Sequence, residues 1–272
     1  MSYSSQPEGE LLRPGSSAPS APPPPIEYAS EQPRTRTVLT APATYLLVGI
    51  NCAVFLWMIL HGVSPKEPTT AQLIHFGATN PDLILSGQWW RLITATFVHV
   101  GLLHIATNMW CLWNLGLLGE PLLGPIGLTA VYLLTGLAGN LLSLAFNVIL
   151  RDHLSVGAGA SGAVFGIAGI LIVLLSNHKL PIPWSELKRL RRSVIQFAAL
   201  NLVIGLATVF TNIIRIDNFA HLGGFLYGLA LGVPLVPRMT AGRERYLRRQ
   251  KITFAVATFL LALFGYWISN LK

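Results

Sequence analysis

The most informative segment of this chain is residues 156–166, which read Val156-Gly157-Ala158-Gly159-Ala160-Ser161-Gly162-Ala163-Val164-Phe165-Gly166. Ser161 lies where a loop of small residues meets an apolar helix, predicted over 162–176. The small neighbours let another backbone approach closely, and the first turn of a helix presents unpaired N–H groups that favour a developing negative charge. The alternative is that Ser161 only caps the helix and the glycines only allow close packing.

The composition around this segment predicts an all-α polytopic membrane protein. Apolar residues make up 52% of the chain and charged residues only 11%, and several apolar runs are long enough to span a bilayer. The net charge of +8 is concentrated in loops, which is typical of membrane topology signals and not of nucleic-acid binding. Cys52 and Cys111 both fall inside apolar runs, so they are interpreted as small core residues and not as a disulfide or metal site.

Seven spans are predicted, six of them in a core over residues 42–237. A Pro/Ser-rich tail over residues 1–41 is expected to be disordered. It lacks the apolar segment of a secretory signal, and its glutamates are unusual for a mitochondrial transit peptide. A basic loop over 238–251 separates the core from a seventh, C-terminal helix over 252–272. The predicted core spans are 43–61, 97–118, 124–149, 162–176, 194–212 and 219–236.

The distribution of basic residues predicts the orientation of these spans. The chain has 19 Lys and Arg residues, and 14 of them lie in the tail or in the loops after spans two, four and six. The positive-inside rule then places the N-terminus in the cytosol and the C-terminus outside, in a plasma or inner membrane. The exceptions on the opposite side are Lys66, Arg91, Arg151, Arg215 and Lys272.

A long first loop, about 62–96, is too polar to cross the bilayer. It contains Trp89, Trp90 and Arg91, and paired tryptophans beside an arginine are typical of the membrane–water interface. The loop is therefore predicted to be mainly an interfacial anchor.

Ser161 and His221 form the candidate catalytic pair. With this orientation both lie near the outer ends of their spans, at matching depth. Glycines four residues apart give each helix a smooth face, Gly162 with Gly166 and Gly224 with Gly228, so the two backbones are expected to approach closely. That approach brings an imidazole within reach of a serine hydroxyl, which is the arrangement of a general base and a nucleophile. A lone structural histidine is the alternative for His221.

His104 and Asn108 lie four residues apart on span two and therefore share one helix face. Both side chains donate hydrogen bonds, so they are candidates for stabilising an oxyanion beside the N–H of Ser161. The alternative is that they only join helices within the membrane. His99 and His153 are interpreted as interfacial or structural residues.

The sequence contains no pattern for metal chemistry. No His-Glu-x-x-His motif occurs, and no carboxylate accompanies the histidines of the spans, so neither a metalloprotease nor an aspartyl intramembrane protease is supported. No metal and no cofactor is expected.

Taken together, these motifs resemble the rhomboid family of intramembrane serine proteases, over about residues 44–237. The seventh span resembles the "six plus one" branch of that family. The matching segments are Trp90-Arg91, His104 with Asn108 and the upstream His99, Glu120 after Gly116 and Gly119, Gly159-Ala160-Ser161-Gly162, and Ala220-His221 followed by Gly224 and Gly228.

The resemblance implies a Ser-His dyad without a carboxylate, in which Ser161 is the nucleophile and His221 the general base. It also implies an oxyanion hole formed by His104, Asn108 and the Ser161 amide. Gly159 would help to shape that hole.

Phe165 occupies the position at which the best-known bacterial members have a tyrosine stacked on the base histidine. A phenylalanine keeps the ring that can orient the imidazole but lacks the hydroxyl. The implied substrates are single-span membrane proteins in the lipid bilayer, cut near the outer leaflet beside a small residue.

Two other functions remain as alternatives. One is a catalytically inactive rhomboid-like protein that binds transmembrane helices, although inactive relatives typically lack the serine or the histidine, and this chain has both. The other is a transporter, which would be expected to show an internal repeat of interrupted helices, and the sequence has none. The oligomeric state and the physiological substrate stay open.

Overall fold

The computed structural model describes residues 40–178, 180, 182–208 (backbone alone for 205–208), 217–236 and 242–271. Within these residues the protein is all-α, and its only β-type pairing is an isolated bridge between Thr79 and Gly157. The helices are α1 (Pro42–Leu60), α2 (Thr70–His75), α3 (Pro81–Leu85), α4 (Arg91–Thr94), α5 (Leu102–Leu123), α6 (Pro125–Ile149), α7 (Ser161–Leu174), α8 (Trp184–Thr208), α9 (Asn218–Leu235) and α10 (Gly242–Ser269).

Three helices in the described part of the chain are long and apolar enough to cross a bilayer by themselves: α1, α6 and α10. Helix α7 is also apolar but shorter, with 14 residues. It is nearly enclosed by the others, since every residue from Gly162 to Leu171 is buried. The helix that begins at Ser161 is therefore the centre of the bundle.

Several helices begin at other residues than the predicted spans. Helices α8 and α10 begin ten residues before the predicted positions 194 and 252, because Lys, Arg and Glu are good helix formers and hydropathy detects only the apolar part of a helix. Helix α5 begins at Leu102 instead of 97 because Gly101, with φ 132°, interrupts the backbone before it.

Parts of the predicted organisation lie outside the described residues. These are the predicted disordered tail up to residue 39, the predicted end of span five at 209–212 and the first part of the basic loop, 238–241.

A buried carboxylate joins α1 to α5. Helix α1 has no side-chain cap from its own segment. Instead, Glu120 of α5 accepts hydrogen bonds from the backbone N–H groups of Ala43 (2.9 Å) and Thr44 (2.8 Å) and from the Thr44 hydroxyl (2.7 Å). A carboxylate at a helix N-terminus satisfies free donors and interacts favourably with the helix dipole. Glu120 therefore caps a helix to which it is not adjacent in sequence.

A second buried polar group joins α1 and α6 to the first loop. The Asn51 amide donates to the Tyr132 hydroxyl at 3.0 Å, and that hydroxyl donates to the Thr96 carbonyl at 3.1 Å. Asn51 and Tyr132 are completely buried, so these bonds satisfy groups that would otherwise destabilise the core.

Helix α10 packs against the outside of the bundle through polar contacts near its start. Gln250 donates to the Leu123 carbonyl at 2.9 Å and Arg249 to the Val236 carbonyl at 2.6 Å. Further along the helix, the Tyr227 hydroxyl of α9 donates to the Ala257 carbonyl at 2.7 Å. These bonds hold α10 against the end of α5 and against the middle and the end of α9.

Candidate active site

The close approach of α7 and α9 that the glycines predicted is confirmed. A Cβ atom added to Gly224 would overlap the carbonyl oxygen of Gly162, and one added to Gly228 would overlap that of Gly166. The two helices are therefore in backbone contact along these faces, and no side chain larger than hydrogen fits between them.

This contact brings His221 against the face of α7 that carries Ser161. The imidazole of His221 stacks on the ring of Phe165, with centroids 4.4 Å apart and planes inclined by 16°. Ser161 and Phe165 lie four residues apart on α7 and share a face, and side chains on a helix lean toward its N-terminus. The imidazole consequently lies beside the turn that begins with Ser161.

The surroundings of His221 are largely apolar. It is 6% exposed, and its Nδ1 has no hydrogen-bond partner among the described residues. No hydrogen bond between Ser161 and His221 occurs in this part of the chain. A cavity of about 190 Å³ adjoins the imidazole, with Phe165, Ile195 and Phe225 in its wall. This cavity leaves room for an apolar group next to the histidine.

His104 lies against the serine loop, which is residues 156–160 before α7. A Cβ added to Gly159, which has φ 127°, would come within 2.6 Å of Cε1 and 2.9 Å of Nε2 of His104, so only glycine lets the ring come this close. The N–H of Val100 donates to His104 Nδ1 at 3.2 Å. Because Nδ1 accepts, the neutral ring carries its proton on Nε2, the nitrogen that faces Gly159.

Asn108 lies one turn further along α5 and is buried. Its side-chain amide donates to the carbonyl of His104 at 2.9 Å. One amide hydrogen is thus committed to its own helix, which fixes the orientation of the side chain, and the other remains as a donor.

His99 contacts the backbone of the serine loop. It is fully buried; its Nδ1 lies 3.1 Å from the Phe97 carbonyl, and its Nε2 accepts a long hydrogen bond from the N–H of Ala160 at 3.5 Å. The N–H of Gly159 donates to the Ala95 carbonyl at 2.9 Å. These bonds agree with the structural interpretation of His99 and fix the backbone directly before Ser161.

The first loop does more than anchor the protein at an interface. Arg91 is buried and donates through Nη1 to the carbonyls of Ile74 (2.6 Å) and Ala78 (3.0 Å). The next residue, Thr79, pairs with Gly157 through backbone bonds of 2.8 and 3.3 Å. Arg91 thus holds the segment that pairs with the serine loop, whereas Trp90 is half exposed, as an interfacial residue would be.

His153 does not join this cluster. His153 pairs with Asp82 at 2.7 Å on the surface. In the described part of the chain, no group of three His, Cys, Asp or Glu side chains is arranged to hold a metal ion.

Sequence reasoning did not identify two residues of this region. Asp217 caps α9 and also binds Ser143, and Thr79 pairs with Gly157. The bonds to Ser143 and to Gly157 each join segments more than 70 residues apart. The position of Asp217 directly before a helix is a detectable capping signal, whereas nothing in the sequence marks Thr79.

The fold and this cluster define a multi-pass helical membrane protein with a serine and a histidine on adjoining helices. Residues 86–238 match the family model of the Rhomboid domain. The chain belongs to the rhomboid family, as the order of its motifs predicted.

Individual relatives agree with this assignment. The chain is 34% identical over 196 residues to Rhomboid protease GluP of Bacillus subtilis, an alignment that covers 70% of this chain and 35% of that protein. It is 34% identical over 184 residues to RHOMBOID-like protein 6, mitochondrial, of Arabidopsis thaliana, covering 66% and 54%. It is 29% identical over 209 residues to Rhomboid protease AarA of Providencia stuartii, covering 71% and 72%. The chain spans about a third of the first of these proteins and about half of the second.

Proposed function

We propose that this protein is an intramembrane serine endopeptidase in which Ser161 is the nucleophile and His221 the general base. The stacking of His221 on Phe165, one turn from Ser161, carries the proposal. A ring held at a face of α7 is pre-oriented toward a hydroxyl on that face, so little conformational freedom is lost in reaching the reactive geometry.

The surroundings of His104 support an oxyanion hole. Its Nε2–H faces Gly159, and the first intrahelical bond of α7 runs from Val164 to Ala160, which leaves the N–H of Ser161 without an acceptor inside the helix. Two donors beside the same loop suit a tetrahedral oxyanion, and the second amide hydrogen of Asn108 is a third candidate.

The reaction follows from these roles. His221 takes the proton of the Ser161 hydroxyl as its oxygen attacks the peptide carbonyl, and the negative charge that develops on the carbonyl oxygen is stabilised by His104 and the Ser161 amide. The intermediate then collapses, His221 protonates the leaving amine, and water hydrolyses the acyl-enzyme by the reverse sequence of proton transfers.

The substrate class and topology belong to the same proposal. Single-span membrane proteins are the substrates, cut near the outer leaflet, because Ser161 begins α7 at the end that the basic residues assign to the outside. Six helices, α1 and α5 to α9, form the core and α10 is the added seventh, with the N-terminus in the cytosol.

The test is cleavage of a single-span model substrate in proteoliposomes. Ser161→Ala and His221→Ala are each expected to lower kcat by about a thousandfold or more. Ser155→Ala and His153→Ala serve as matched controls in the neighbouring loop and are expected to cleave at the wild-type rate. Wild-type cleavage by folded Ser161→Ala would refute the assignment of the nucleophile.

A fluorophosphonate probe separates this proposal from the inactive helix-binding alternative. Such probes react only with an activated serine. If several substrates remain uncut and the wild-type protein is not labelled, the helix-binding function replaces the proposal.

A further inference from the structure

Asp217 forms the start of the helix that carries His221. Its Oδ1 accepts a hydrogen bond from the N–H of Ala220 at 2.9 Å, which makes it the N-cap of α9. Its carbonyl accepts from the N–H of His221 at 3.2 Å. The position of the His221 backbone therefore depends directly on the position of Asp217.

The second carboxyl oxygen of Asp217 reaches a different helix. Oδ2 accepts a hydrogen bond from the hydroxyl of Ser143 on α6 at 2.5 Å, and Ser143 is buried. A capping residue needs only one oxygen for its own helix. The other oxygen ties the first turn of α9 to α6.

The same oxygen also lies close to the serine loop. A Cβ added to Gly157 would be 3.4 Å from Asp217 Oδ2 and 2.6 Å from Thr79 Oγ1. Gly157 lies four residues before Ser161. One carboxyl group thus binds the helix of the proposed base and lies close to the loop of the proposed nucleophile.

We propose that Asp217 is a positioning residue that sets the distance between Ser161 and His221, an inference that rests on the proposed function. It acts on the backbone that carries the histidine and not on the imidazole. The carboxyl group clamps α9 to α6 directly beside Gly157, so the two reacting side chains keep one relative position while a substrate enters.

Three substitutions separate this role from helix capping. Asp217→Ser keeps an oxygen that can cap α9, but its side chain is too short to reach Ser143. Asp217→Asn has the same length as the aspartate and keeps a polar atom at both positions. Ser143→Ala leaves Asp217 intact and removes the hydroxyl it binds. Thr129→Val, which deletes an exposed hydroxyl bonded within α6, and Thr69→Ala, which removes the exposed N-cap of α2, are the matched controls.

The first readout is kcat per active site, with sites counted by fluorophosphonate labelling. Asp217→Ser and Ser143→Ala are expected to lower this kcat by about tenfold and to leave KM unchanged. A tenfold change corresponds to the free energy of about one buried hydrogen bond. Asp217→Asn and both controls are expected to stay within about twofold of the wild type. A purely structural role would lower the number of active sites and leave kcat per site unchanged, and that result overturns the inference.

The second readout does not depend on activity. Amide hydrogen exchange over 157–161 and 219–224 is expected to be about tenfold faster in Asp217→Ser and Ser143→Ala than in the wild type and the controls. If the wild-type protein neither cleaves nor is labelled, the proposed function fails, and this exchange pattern alone decides whether the clamp exists. Equal exchange in all variants refutes it.

Discussion

Two helix pairs of this protein are held together in different ways. Helices α7 and α9 meet backbone to backbone, with Gly224 on the carbonyl of Gly162. Helices α1 and α5 meet through Glu120, whose carboxylate receives the N-terminus of α1. The first contact has no side chain that can adjust, so it fixes geometry at the candidate site. The second is a set of hydrogen bonds at the other end of α5 from His104, and it contributes mainly to stability.

Gly224→Ala is expected to have the largest effect on activity. The added methyl overlaps the Gly162 carbonyl, so α7 and α9 must separate, and a displacement of about 1 Å at reacting groups costs about a hundredfold in rate. The measurement is kcat in proteoliposomes.

Gly49→Ala is the control for this change. Gly49 lies in α1 with no atom within 4 Å of an added Cβ, so that variant is expected to cleave like the wild type. A Gly224→Ala protein with unchanged kcat would show that backbone contact does not set the site.

Glu120→Gln, in contrast to Gly224→Ala, is expected to lower stability and to leave activity nearly unchanged. One of its two acceptors becomes a donor facing N–H groups, which leaves a buried donor unsatisfied and lowers the free energy of unfolding by about 3 kcal/mol. We expect a lower Tm and a nearly unchanged kcat per active site. Glu244→Gln, at an exposed glutamate of α10, should leave Tm unchanged, and a similar Tm for both variants would refute the capping role of Glu120.

Phe165→Leu is expected to lower kcat by about fivefold, because it removes a stacked ring worth about 1 kcal/mol for orienting the imidazole. Phe165→Tyr keeps the ring and should retain the wild-type rate. Equal rates for the leucine and tyrosine variants would mean that stacking does not orient His221.

The smallest expected effect is a pH dependence at Asp217, which precedes α9. Burial raises the pKa of this carboxyl group above its ordinary value of 3.8, so the folded protein binds more protons than the unfolded chain above about pH 4. The protonated carboxyl group therefore makes its full contribution to the free energy of unfolding below that pH. This contribution is lost as the pH rises through the raised pKa. Asp217→Asn removes this dependence. The Tm of Asp217→Asn minus the Tm of the wild type should therefore increase from pH 4 to pH 7. A constant difference would exclude a raised pKa.

The sequence predicted those features that depend on short spacings. His104 and Asn108 are four residues apart, so one helical turn determines their common face. Phe165, in contrast, was identified only through the family resemblance, at the position of a stacked tyrosine. The glycine faces of α7 and α9 follow from the same period. The rhomboid resemblance rested on these spacings together with the order of the motifs.

The sequence could not predict contacts that depend on tertiary structure. The Ser143 to Asp217 bond joins positions 74 residues apart, and Glu120 caps a helix that begins 78 residues earlier. Arg91 was interpreted as an interfacial residue because its neighbours are tryptophans, yet its partners are the carbonyls of Ile74 and Ala78. No local pattern distinguishes a guanidinium that binds carbonyls from one that faces water.

The most direct test of the central claim is to map the fluorophosphonate adduct by mass spectrometry in the wild type, His221→Ala and Gly224→Ala. The account predicts an adduct on Ser161 in the wild type, little or none in His221→Ala, and a labelling rate about a hundredfold lower in Gly224→Ala. An adduct on another residue, or labelling of Ser161 at the wild-type rate without His221, would contradict it.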